Sequence, residues 1–80
     1  RGTRLMLTLF HTDGCHLCEQ AWTLVEHAGM AAQTRRCDIL EEEAWLEAYR
    51  VRLPVLQDSA GRELGWPFTL GELQGWLAQG

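Results

Sequence analysis

The feature that most constrains this chain is an abrupt change of hydrophobic period at Gly14, with a pair of cysteines sitting on the change. Before it, Arg4 to Phe10 (Arg-Leu-Met-Leu-Thr-Leu-Phe) is a short apolar run bounded by Gly2 and the polar cluster His11-Thr12-Asp13-Gly14, the pattern of a buried central strand. After it, Leu17, Ala21, Leu24, Val25 and Ala28 recur at helical spacing, and Gly29 supplies a stop. One amphipathic helix is therefore predicted from 16 to 28. Cys15 then lies at the helix N-terminus and Cys18 within its first turn.

The remaining sequence continues the alternation. Gln33 to Leu40 lies between a helix stop and an acidic helix start, where a second strand is expected. The triplet Glu41-Glu42-Glu43 puts negative charge on the first turn of a second helix, where the helix dipole favours it, and Ala44, Trp45, Ala48 and Tyr49 form one face before the helix ends near Tyr49 or Arg50. Leu53-Pro54-Val55-Leu56-Gln57 reads as a strand, Asp58-Ser59-Ala60-Gly61 as a turn, and Arg62-Glu63-Leu64-Gly65-Trp66 as the returning strand of a hairpin. Thr69-Leu70-Gly71-Glu72 matches a capping box, and a last helix carries Leu70, Leu73 and Leu77 on one face. The order β-α-β-α-β-β-α defines an α/β fold with a mixed four-stranded sheet flanked by helices. An 80-residue chain supports one core, so residues 1–80 are expected to form a single domain.

Composition narrows the function. The chain is 46% apolar and 22% charged, as globular domains are. Its positive charge comes from arginine alone and its net charge is −4, so no basic field for nucleic acid is present. The run Leu5 to Phe10 is far too short to span a membrane or act as a signal segment, and a cytoplasmic protein is expected. Three cysteines is an odd number, unlike the even sets that staple small secreted domains.

Cys15-His16-Leu17-Cys18 is thus the candidate for chemistry. Unpaired N–H groups and the positive end of the dipole favour a thiolate at a helix N-terminus. A free cysteine titrates near about 8.5, whereas thiols in such motifs fall to roughly 3.5–7.5. Cys15 can attack a substrate disulfide, and Cys18 is close enough to resolve the mixed disulfide, after which an external reductant restores the dithiol. Asp13 beside the motif opposes ionisation of Cys15, while protonated His16 or His11 favours it. Two other functions use the same residues: a metal or Fe-S binding module, for which Cys37, His11 and His16 are the further candidate ligands, and a non-catalytic interaction domain. Cys37, mid-strand, is expected to be a small core side chain. His16 either tunes the thiols or simply faces solvent, and His27 complements a helix C-terminus. Packing accounts for most of Trp22, Trp45, Trp66 and Trp76, but Trp66-Pro67-Phe68 at the hairpin exit is a candidate lining for a substrate groove.

With those residues in hand, the sequence resembles the glutaredoxins, and more closely a glutaredoxin-like family with a Cys-His-Leu-Cys type motif and a distal Arg-Glu-Leu-x-Trp-Pro-Phe segment. The matching residues are Leu7 to Phe10, Asp13-Gly14-Cys15-His16-Leu17-Cys18, Asp38, Leu53-Pro54-Val55-Leu56, Gly61-Arg62-Glu63-Leu64 and Trp66-Pro67-Phe68. The resemblance implies a thioredoxin-like three-layer fold and a dithiol-disulfide oxidoreductase whose working group is a redox-active Cys15–Cys18 disulfide, with no other cofactor. It implies that Pro54 is a cis-proline facing the thiols and that a substrate strand pairs beside it. The substrate-contacting set is then His16, Leu17, Leu53, Pro54 and Trp66, and the partners are a disulfide-containing protein or small thiol and an external reductant, met by a monomer. Glutaredoxins hold glutathione through a Gly-Gly and an acidic residue before the last helix and a basic residue before the motif. Here Gly65-Trp66-Pro67-Phe68-Thr69 and Thr12-Asp13-Gly14 stand in those places.

Overall fold

The computed structural model describes residues 6–79, so Arg4 and Leu5, expected to open the first strand, lie outside the described residues. The elements follow the expected order: β1 (Leu7–His11), α1 (His16–His27), β2 (Thr34–Asp38), α2 (Glu43–Tyr49), β3 (Val55–Asp58), β4 (Glu63–Gly65) and α3 (Leu70–Gln79). The strands form one sheet in the order β2-β1-β3-β4. β1 runs parallel to β2 and antiparallel to β3, and β3 and β4 are an antiparallel hairpin.

Alternation along the strands sorts side chains to the two faces. Leu7, Leu9 and Leu56 point to one side, where they meet Ala21 and Val25 of α1, Leu73 of α3, and Phe68. Phe10 and Val55 point to the other, with Cys37, Ile39 and Tyr49 of α2. Two helices, a sheet and a third helix thus make the three layers of a thioredoxin-like fold. Leu7, Leu9, Leu56 and Leu73 are all but fully buried, each contributing roughly 1.5–3 kcal/mol relative to exposure. No helix of the described residues is long and apolar enough to cross a membrane.

The region around β2 and α2 departs from expectation. β2 stops at Asp38 rather than Leu40, because the Asp38 carboxylate accepts the Leu40 N–H at 2.9 Å and folds Ile39–Glu41 into a 3-10 turn. A local side-chain acceptor here outcompetes the ladder. Glu41 is consequently taken up in that turn and Glu42 becomes the N-cap of α2, leaving only Glu43 in its first turn. The inner face of α2 is also shifted: Trp45 and Leu46 pack on the core and Tyr49 is buried, whereas Ala44 and Ala48 are exposed. Phe10 selects this face by stacking on Tyr49 with ring centroids 4.2 Å apart and meeting Trp45 edge-on at 5.5 Å.

The β3–β4 hairpin turn and the start of the last helix form as their residue types require. Gly61 adopts φ 92°, and the buried Asp58 carboxylate accepts the N–H groups of Ala60 and Arg62 and pairs with the Arg62 guanidinium at 2.8 Å. The strands flanking the turn are a little shorter than the apolar pattern suggests. At α3, the Thr69 N–H donates to Glu72 at 2.9 Å and the Glu72 N–H donates to the Thr69 hydroxyl at 3.1 Å, the reciprocal bonds of a capping box.

Candidate active site

The sheet's pairing brings the chemistry to one end. β1 ends at His11, and because β3 runs antiparallel with Val55 opposite Phe10, Pro54 stands at the same end. β4 closes there too, with Gly65 opposite Val55, and the Trp66 N–H donates to the Pro54 carbonyl at 3.1 Å. The chain leaves β1 through Thr12 and Asp13, turns at Gly14 with φ 77°, and enters α1 at Cys15.

Cys15 is the N-cap of α1, with extended backbone angles, and its Sγ accepts the Cys18 N–H at 3.1 Å. The sulfur therefore takes the place that a serine or aspartate oxygen fills at other helix starts. Cys15 is half-buried and joined by a disulfide to Cys18, with their Cα atoms 5.2 Å apart. Cys18 is only 4% exposed, since it belongs to the inner stripe Cys18, Ala21 and Val25 of the helix. Leu17, placed by the apolar pattern on that face, instead projects outward at 45% exposure, and His16 is exposed beside it. The i, i+3, i+7 stripe that begins at Cys18 leaves position 17 outside.

The Leu53–Pro54 peptide bond is cis, as the resemblance implies, and so is Trp66–Pro67, which nothing in the sequence foretold. Pro54 is buried, Leu53 packs against the α2-side cluster, and Trp66 packs against the α1-side cluster. Trp66 meets Phe68 edge-on with centroids 5.1 Å apart, and Phe68 is 4% exposed. Phe68 of the Trp-Pro-Phe segment is thus a core residue rather than the lining of a groove.

A cavity of about 280 Å³ opens against the disulfide, lined by both cysteines together with His11, Asp13, Trp22 and Arg36 among others. It lies on the β2 side of β1, whereas Pro54 lies on the β3 side. His16, Leu17, Leu53, Pro54 and Trp66 are not part of its wall. The wall includes Trp22 and Arg36, which sequence reasoning left out of the site. Arg36 pairs in register with Leu9 and its guanidinium lies 4.5 Å from the Trp22 ring centroid, a cation–π contact that only the β1–β2 register reveals.

A second polar group braces the loop leading to Pro54. The Tyr49 hydroxyl donates to Glu63 at 2.7 Å, and Arg52 pairs with the other Glu63 oxygen at 2.8 Å. The Tyr49 hydrogen bond and then the Arg52 guanidinium hold the Glu63 carboxyl below its usual range, while burial and then Glu63 push the Tyr49 phenol up. Cys37 is buried in the α2-side cluster, as a small core residue would be, and no group of three or more His, Cys, Asp or Glu among the described residues is placed to hold a metal ion.

Comparison with known proteins agrees with this geometry. A family model described as a glutaredoxin-like domain (DUF836) matches residues 6–78. No curated protein sequence matches the chain significantly. Among solved structures, the X-ray structure of the target protein XcR50 from X. campestris superposes with a TM-score of 0.85 at 42% identity, covering 92% of this chain and 97% of that one. The solution structure of XcR50 gives 0.83 at 41% identity, covering 94% and 95%. Protein Ne2328 from Nitrosomonas europaea, at 20% identity and a TM-score of 0.77 over 95% of this chain and 94% of that one, shares the fold. With the family model spanning nearly the whole chain and a 42% identical relative of the same fold, this protein belongs to the glutaredoxin-like domain family, with a CxxC pair, Cys15–Cys18, suited to redox chemistry.

Proposed function

We propose that the protein is a thiol-disulfide oxidoreductase in which Cys15 attacks a substrate disulfide and Cys18 resolves the mixed disulfide. The observation that carries this is the asymmetry of the pair: Cys15 is half-exposed at the start of α1 with its sulfur accepting a backbone N–H, and Cys18 is buried one turn on. In the dithiol the same N–H and the helix dipole stabilise a Cys15 thiolate. Attack by Cys15 forms a bond to one substrate sulfur and releases the other as a thiolate. Cys18 then bonds to the Cys15 sulfur, the second substrate thiolate leaves, and an external reductant returns the disulfide to the dithiol.

Exposed His16 and Leu17 follow Cys15 directly in the chain, and Leu53, Pro54 and Trp66 stand at the same end of the sheet, so an extended segment of a disulfide-bearing protein is the substrate that suits the site, with a small disulfide as the simpler case. Neither the Gly-Gly with its acidic neighbour nor the basic residue by which glutaredoxins hold glutathione is present, which favours a different reductant. We place the protein in the reducing cytoplasm, where a dithiol is regenerated, acting as a monomer.

The test is the reduction potential of the Cys15–Cys18 pair, measured in thiol buffers by tryptophan emission, for which Trp22 on the shared cavity wall is the reporter. A reversible two-electron transition between about −120 and −270 mV, the span of known dithiol carriers, is expected. Absence of any transition in that span would falsify the proposal.

A further inference from the structure

We infer that His11 is the acid–base group for the resolving thiol, exchanging a proton with Cys18 inside the cavity that both residues line. The inference rests on the oxidoreductase reading above and adds a residue to it. The two thiols start from unequal positions. Cys15 has an N–H donor and a helix end to stabilise its thiolate. Cys18 is 4% exposed, and among the described residues no hydrogen bond is made to its sulfur. Burial disfavours the charged form of a thiol, yet Cys18 must lose its proton to attack. It lines the polar cavity on the β2 side, which at about 280 Å³ is wide enough to admit water.

Three side chains that can take up a proton line that cavity: His11, Asp13 and Glu19. Carboxylates are weak bases at neutral pH, whereas imidazole is the side chain whose basicity suits proton exchange there. Asp13 and Glu19 are also exposed, while His11 is half-buried and held on the rigid last position of β1. The other charged groups around His11 are accounted for. Arg36 of β2 lies over the Trp22 ring, and Asp38, the partner of His11 across the parallel ladder, accepts the Leu40 N–H with a carboxylate oxygen. β3 contributes Val55 and then Pro54 on the remaining side, neither of which titrates. The His11 imidazole makes no hydrogen bond among the described residues and is free to accept one.

In the resolving step the Cys18 proton passes to the imidazole, directly or through a water. The Cys18 sulfur bonds to the Cys15 sulfur, and the bond from Cys15 to the substrate sulfur breaks. The departing thiolate takes up a proton from the imidazolium or from solvent. Summed with the first attack, the dithiol is oxidised to the Cys15–Cys18 disulfide and the substrate disulfide is reduced to two thiols.

The test uses the reduced protein and an aromatic disulfide, dithiobis(nitrobenzoate), whose two coloured thiolates leave in successive steps: the first on attack by Cys15, the second on resolution by Cys18. H11Q is expected to slow the second release at neutral pH by about a hundredfold or more relative to the first, the lower end of general-base effects, and added imidazole should restore part of the rate. In the wild type, the second rate should rise with pH through the titration of the His11 ring, followed by NMR in the same protein. A second release equally fast in wild type and H11Q overturns the inference. So does a wild-type profile with no inflection at the His11 titration, which decides the matter even if H11Q does not fold. Should the wild type release no second thiolate at all, the oxidoreductase reading itself falls, and the inference with it.

Discussion

Cys15 and Cys18 are three residues apart in the chain and differ in everything that sets thiol reactivity. The first is half-exposed and hydrogen-bonded at the helix start, and the second is packed beside Ala21 and Val25. The difference is testable by substitution. C18S, offered a disulfide substrate, is expected to accumulate a stable adduct at Cys15, seen by mass spectrometry under non-reducing conditions, because nothing is left to release it. C15S should trap little or none, since the Cys18 sulfur is out of reach of a protein substrate. Equal trapping by both variants would show that the roles are not divided in this way. His11 and Arg36 belong to the same scale: the sequence marked His11 only as a neighbour of the thiols and gave no signal for Arg36, and both join the cavity wall.

Among the elements, α3 is the one whose start is best specified locally. Thr69 and Glu72 satisfy each other's N–H groups, and Leu73 four residues into the helix is fully buried against the α1-side cluster. T69A is expected to cost about 1 kcal/mol, read as a lowered denaturation midpoint with an unchanged slope in a urea titration. T69S should restore most of the loss, which a packing defect would not permit. The helix α2 is the contrasting case. Its acidic start was legible, but Asp38 diverted the preceding residues into a 3-10 turn and the stacking of Tyr49 on Phe10 set which face turned inward. Short helices draw their stability from such packing rather than from propensity.

At the scale of the whole molecule, two carboxylates tie separate elements together. Burial pushes the Asp58 carboxyl up, but the Arg62 guanidinium and two backbone N–H groups outweigh it, and its pKa falls below the ordinary 3.8. Glu63, bonded to Tyr49 and Arg52, is likewise held below 4.5. For both groups the folded value is the lower one. Their contribution is therefore fully present above the unfolded-state pKa and is lost as pH falls through the folded value. Stability is expected to decline below about pH 4, and E63Q should flatten that acid limb as followed by thermal melts. An E63Q protein as acid-sensitive as the wild type would show that other groups carry the dependence.

What the sequence determined by itself was whatever depends on near neighbours in the chain: the strand-to-helix change at Gly14, the placing of Cys15 and Cys18 on it, the capping box at Thr69, and through element order the α/β class. Backbone period, turn chemistry and caps act over a few residues, so they can be read without coordinates. Tertiary structure decided what depends on pairing between distant segments. The β1–β2 register set Arg36 beside Leu9 and the antiparallel β3 carried Pro54 to the end of the sheet where the thiols emerge. The packing of α1 turned Cys18 inward and left Leu17 in solvent, and Phe68 was drawn into the core. These outcomes are set by competition for burial among segments far apart in the chain, which local pattern does not encode.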